Sequence, residues 1–150
     1  MFAEYDTYKF PQVNIKLGKT IDNDDDYNNF TNEWEKLYIL KKNFLFIIDA
    51  RMTGFVPFKY AYKMCDFITT LKSMKTQYLK YSIIIIHNKI VEYTLRFIFT
   101  LVGPVAPIYL VYSIEDAIKL NNLLFIPELN YYKTSKINSI NKIKNVYIPT

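Results

Sequence analysis

The chain has 150 residues, 51% of them apolar and 22% charged, which suits one globular domain and excludes a wholly disordered protein. A net charge of +5 is too small for a dedicated polyanion binder. One cysteine, Cys65, and one histidine, His87, exclude an internal disulfide, a zinc ribbon and a His-rich metal site. Tyr and Phe are dense (14 and 11 residues) and Gly is scarce, a bias that points to AT-rich coding DNA before it points to function.

Residues 1–11 read as irregular, closed by Pro11, and 13–17 (Val-Asn-Ile-Lys-Leu) alternate as a strand with one wet face does. Gly18 allows a turn, with a second short strand running to Ile21. Residues 22–29 read as an acidic loop. Phe30, Trp34, Leu37 and Tyr38 then share one helical face. Phe44-Leu45-Phe46-Ile47-Ile48 is a buried strand ending at Asp49 and Arg51. Pro57 opens a helix expected to run to Tyr78, with a stripe of Tyr60, Met64, Phe67, Leu71, Met74 and Tyr78.

The centre of the pattern is Ser82-Ile83-Ile84-Ile85-Ile86, stopped by His87-Asn88. Four β-branched residues in a row leave no face for water, so this is a strand covered on both sides in a mainly parallel sheet. Val91, Leu95, Ile98 and Val102 mark a helix ended by Gly103-Pro104. Ile108 to Tyr112 form another strand, and Ser113 is placed to cap a last helix. The expected fold is α/β: a single small domain over 1–125, with a sheet of about 4–5 strands covered by about four helices. Residues 126–150 form a basic Asn/Lys-rich tail or an added strand. This order puts Asp49, Arg51, His87, Asn88 and Ser113 on one rim, at the carboxyl ends of strands.

Most sharp motifs fail on spacing. Gly18-Lys19-Thr20 matches the end of a phosphate-binding loop, but Val13 stands where its first glycine belongs and no helix is expected at Thr20. Asp22, Asp24, Asp26 and Glu33 share the spacing of a calcium loop, yet Tyr27 stands where that loop turns on glycine. The sequon at Asn29 reads as part of a helix start. Cys65 reads as a small buried hydrophobe, and His87 as a strand-end residue. Lys133, Lys136, Lys142 and Lys144 with Tyr131, Tyr132 and Tyr147 could form a nucleic-acid arm, but their charge is diluted by Asn and Ser, so nucleic acid is disfavoured. No catalytic residue, metal site or cofactor is expected. The N-terminal residues lack a signal-peptide core, and Gly103, Pro104 and Pro107 interrupt the most apolar window. A cytoplasmic or otherwise intracellular protein without a transmembrane segment is therefore expected.

Residues 13–22, with Leu17-Gly18-Lys19-Thr20-Ile21-Asp22, and Phe46-Ile47-Ile48-Asp49 resemble the opening strand and turn, and the aspartate-ended strand, of STAS domains, the sulfate-transporter and anti-sigma-factor-antagonist family. The similarity spans about three-quarters of the chain. The resemblance implies a regulatory or scaffolding module. The family's Asp-Ser-Ser-Gly phosphorylation motif is replaced here by Gly54-Phe55-Val56-Pro57-Phe58-Lys59, and Thr53, the nearest hydroxyl, sits too early. A phosphorylation switch of the family's kind is therefore not carried over. The lipid-binding CRAL-TRIO domains are a second resemblance, without the length for their N-terminal helices.

The function expected is a non-enzymatic module that binds another protein or itself, homodimerisation included. Its surface would comprise Asp49, Arg51, Phe55, Phe58, Lys59 and Tyr62, beside the rim residues His87, Asn88 and Ser113. One alternative is a carrier of a lipid or other small apolar ligand, with Met64, Met74 and the aromatic stripe lining a pocket between sheet and helix. The other is a small enzyme using His87 and Asp49.

Overall fold

The computed structural model describes residues 1–126, 131–132 and 145–147. The elements are β1 (Ala3–Asp6), β2 (Gln12–Leu17), α1 (Asp24–Ile39), β3 (Phe44–Asp49), α2 (Phe58–Lys72), β4 (Leu79–Ile85), α3 (Lys89–Leu101), β5 (Ile108–Val111) and α4 (Ile114–Leu124). Three short strands follow: β6 (Phe125–Ile126), β7 (Tyr131–Tyr132) and β8 (Asn145–Tyr147). The α/β class is as the strand–helix alternation predicts. The main sheet has six strands in the order β1-β2-β3-β4-β5-β8, and β6 pairs with β7 separately. Strands β2 to β5 are parallel, with an antiparallel strand at each edge.

The register aligns Ile15, Ile48, Ile84 and Leu110 across the four parallel strands. These side chains point to one face and, with Phe44 and Phe46, meet α1, α2 and α3 in the larger core. Trp34 of α1 is its hub, with edge contacts to Phe46 at 5.1 Å and Phe67 at 5.3 Å between ring centres. Leu45, Tyr81, Ile83, Ile85, Tyr109 and Val111 point the other way and are covered by Ala117, Leu120 and Leu124 of α4. The helices are thus split three to one. Strands laid down in sequence order, joined by right-handed crossovers, put α1, α2 and α3 on the same face. Only after β5 does the chain cross to the opposite one. A third cluster, Ala61, Cys65, Ile68 and Ile98, seals α2 against α3.

Several expectations are corrected. Residues 1–11 are not wholly irregular: Ala3–Asp6 pairs with β2, because Phe2 and Ala3 are buried and the hairpin supplies backbone partners that four residues could not hold alone. No strand forms at 19–21; there the Thr20 hydroxyl donates to the Phe55 carbonyl at 2.8 Å.

The acidic segment is helix from Asp24 onward. Asn23 is its N-cap, accepting from the Asp26 amide at 2.9 Å, and three carboxylates occupy the first turn, where the helix dipole favours them. That placement removes the loop a calcium site needs, and no metal-ligand cluster occurs among the described residues. Asn29 accordingly lies inside α1.

Helix α2 stops at Lys72, short of Tyr78, so Met74 and Tyr78 leave the stripe. Ser73 donates to the Thr70 carbonyl at 2.6 Å, tightening that last turn. Strand β4 begins earlier than expected, at Leu79, with a register shift that lets Phe44 face Leu79 and Phe46 face Ser82. Lys41 has φ of 53°, the left-handed residue that closes a helix C-terminus, and its amide bonds the Tyr38 carbonyl. Within the C-terminal region, Asn145–Tyr147 pairs antiparallel with β5 as β8. Lys133, Lys136, Lys142 and Lys144 lie outside the described residues.

Candidate functional site

The register ends β2, β3, β4 and β5 in one row, through Lys16, Asp49, Ile85 and Val111. The residues just beyond that row form the rim. Lys16, Asp49, Arg51, His87, Tyr112, Ser113 and Glu115 line one cleft of about 480 Å³ there. The structure therefore brings together four of the five rim residues that the sequence singles out.

Asn88 is the exception. Its Oδ1 accepts from the Ile90 and Val91 amides, which makes it the N-cap of α3, and its Nδ2 donates to the Thr53 carbonyl at 2.9 Å. It is a structural latch between two loops. Ser113 performs the same capping role for α4, its Oγ accepting from the Asp116 amide at 3.1 Å, yet it still borders the cleft.

Asp49 is held by Arg51. The Arg51 side-chain hydrogen bonds and the desolvation they outweigh leave the Asp49 carboxyl below its usual pKa. Both Asp49 oxygens accept from Arg51, and among the described residues no hydrogen bond joins Asp49 to His87, though both line the cleft. Cys65 sits far from this rim chemically: it is buried in the α2–α3 seam, where desolvation pushes its thiol pKa up.

The predicted partner surface divides in two. Asp49 and Arg51 belong to the cleft. Phe55, Phe58, Lys59 and Tyr62 gather at the head of α2, where sequence alone allowed Phe to be core. They are not core. Phe55, Phe58 and Tyr62 are 58%, 60% and 56% exposed. Phe58 packs edge-on against Phe55 at 6.0 Å and against Phe97 of α3 at 5.5 Å, and Tyr62 meets the same Phe97 at 5.5 Å. Proline at 57 starts α2 without a side-chain cap, and the two phenylalanines flank it. Phe97 was missed by the sequence reading because the α3 stripe was traced through Val91, Leu95 and Ile98. Ile90, Phe97 and Leu101 recur at i, i+7 and i+11, a signal for a second apolar face.

Lys59 is less free than its position suggests. It pairs with Asp24 at 3.0 Å, and Lys63 reaches the same Oδ1 at 3.4 Å. Tyr60 also donates to it at 3.0 Å. The hydrogen bond from Lys59 is the first cause of the lowered Asp24 pKa.

A third feature is apolar. A cavity of about 130 Å³ lies between the sheet and the α2–α3 pair, touched by Met64, Ile68, Ile84, Leu95 and Ile98. Met64 lines it as the carrier alternative expects; Met74 does not. Thr53 lines it too, but its hydroxyl is sealed, 2% exposed and donating to the Gly18 carbonyl at 2.8 Å. No described helix is long and apolar enough to cross a membrane. Comparison with protein-family models, with curated proteins and with solved structures gave no match to this chain.

Proposed function

We propose that this chain is a non-enzymatic α/β interaction module, regulatory or structural, of the kind its STAS-like sequence pattern implies. It binds a protein partner through the head of α2. The observation that carries this reading is the cluster of three large aromatic side chains, Phe55, Phe58 and Tyr62, each more than half exposed, with Phe58 and Tyr62 braced by Phe97 and Phe55 by Phe58. Aromatic side chains in water gain most from burial in a partner's pocket, and they act as anchors when rigidly held. Here the ring contacts fix them in place before binding, so little conformational entropy is lost on association. Lys59 and Lys63, shared with Asp24, supply the polar rim.

The test is partner capture with matched variants. Wild-type protein should retain a discrete partner, or its own second copy, that Phe55→Ser/Phe58→Ser protein does not, with unchanged circular dichroism. Equal capture by both proteins would remove this surface.

The apolar cavity favours the carrier as a second reading, but only for a small cargo. Its volume of about 130 Å³ resembles engineered cavities of about 150 Å³ that admit benzene, and falls below the roughly 300 Å³ at which pockets for drug-sized ligands begin. A lipid tail would need α2 and α3 to part. Native mass spectrometry followed by a denatured run separates the readings: an excess mass lost on denaturation supports the carrier, and sequence mass in both runs supports the module.

A further inference from the structure

Strands β2 to β5 lie in sequence order, so no reversal of strand order opens a crevice in this sheet. Their connections open one by another route. After β4 the chain turns to α3, on the face that α1 and α2 also cover. After the adjacent β5 it turns to α4, on the opposite face. Two neighbouring connections thus leave in opposite directions at the carboxyl ends of their strands. That divergence is what makes the ligand crevice of open α/β sheets. His87 stands on one side of the gap and Ser113 on the other, and the cleft of about 480 Å³ extends from there across the ends of β3 and β2.

The cleft is rich in donors whose valence is unspent. Lys16 and His87 form no side-chain hydrogen bond or ion pair among the described residues. Arg51 commits Nε and one Nη2 hydrogen to Asp49 and keeps its remaining N–H donors. Both Asp49 oxygens are taken by Arg51, and Glu115, the other lining carboxylate, forms no hydrogen bond or ion pair among the described residues but lies near enough to Arg51 to act on its charge. We propose that this cleft binds a small phosphomonoester, with the phosphate held between Arg51 and His87 and the organic part lying along the cleft.

Spacing decides that placement. Neighbouring strands stand about 4.8 Å apart, so Arg51 after β3 and His87 after β4 can reach one phosphate. Lys16 near the end of β2 and Ser113 after β5 are separated by three such steps, roughly 14 Å, and contact different parts of a longer ligand. Arg51 is also held in place by Asp49, so its fork is oriented before the ligand arrives. The inference is independent of Phe55 and Phe58, which lie outside this cleft.

The experiment is a chemical-shift titration of the full chain with inorganic phosphate, glycerol 3-phosphate and succinate. The two phosphates should cause saturable shifts at His87 and Arg51, with glycerol 3-phosphate binding more tightly. Succinate should cause none. His87→Gln and Arg51→Gln, both at exposed positions, should each weaken the glycerol 3-phosphate affinity by about tenfold, as loss of one charge-assisted hydrogen bond does. Each variant's spectrum reports whether it is folded. Absence of saturable shifts, equal shifts with succinate, or unchanged affinity in both folded variants would overturn the proposal.

Discussion

Arg51 grips Asp49 from two residues away: its Nε donates to Oδ1 and its Nη2 to Oδ2, each at 2.9 Å, while its backbone amide reaches Oδ1 at 3.1 Å. The chain thereby closes a small ring at the end of β3, shapes the loop toward α2 and satisfies the one carboxylate on that strand.

The grip makes stability depend on pH in a defined direction. The Arg51 hydrogen bonds hold the folded Asp49 pKa below its unfolded value. The resulting stabilisation is fully present above the unfolded carboxylate pKa and is lost as pH falls through the folded one. Asp49→Asn should lower the urea midpoint at neutral pH and flatten the acid limb of the stability profile. An unchanged acid limb would show that the pair does not contribute.

Phe58 and Phe46 should separate binding from folding. Phe58→Ala, at an exposed side chain, should cost less than about 1 kcal/mol of stability yet remove about 2 kcal/mol of partner affinity. Phe46→Ala, fully buried against Trp34, should cost about 3–5 kcal/mol. Thermal melts paired with a binding isotherm read both quantities.

On the α4 face a polar chain runs through the apolar layer. Tyr81 OH donates to Asn121 Oδ1 at 2.5 Å, Asn121 Nδ2 donates to Gln12 Oε1 at 3.1 Å, and Gln12 Nε2 donates to Asn14 Oδ1 at 3.0 Å. This chain ties α4 to β4 and β2 across 109 residues of sequence separation. Asn121→Ala should cost about 1–3 kcal/mol by breaking buried hydrogen bonds. A double-mutant cycle with Tyr81→Phe should show clear coupling, and strict additivity would argue against the relay.

Cys65 should react with a thiol reagent far more slowly in the native chain than in urea. It is buried, and burial raises its thiol pKa, so both access and thiolate fraction are low. Labelling at the rate of the unfolded chain would show that the α2–α3 seam opens readily.

Residues 44–48 and 82–86 announce their own structure, because short apolar runs rich in β-branched and aromatic residues suit strands covered on both faces. The stripe of Tyr60, Met64, Phe67 and Leu71 likewise announces α2, and Ser113 announces the cap of α4. These are local signals. The strand at 3–6 had none, since four mixed residues are held by a hairpin partner, and the early stop of α2 depends on the turn that frees Tyr78 to lead into β4.

The rim follows from strand ends alone, so Asp49, Arg51, His87 and Ser113 are legible in the sequence. The exposure of Phe55 and Phe58 was not, because a phenylalanine at helical spacing satisfies core and surface equally until its neighbours are known. Nor was the crossing of α4 to the far face, which opens the cleft beside His87. Backbone periodicity and residue chemistry are written into the sequence itself. Which face a helix covers, and what an exposed ring leans on, are set by long-range pairing across the sheet, and only the tertiary structure decides them.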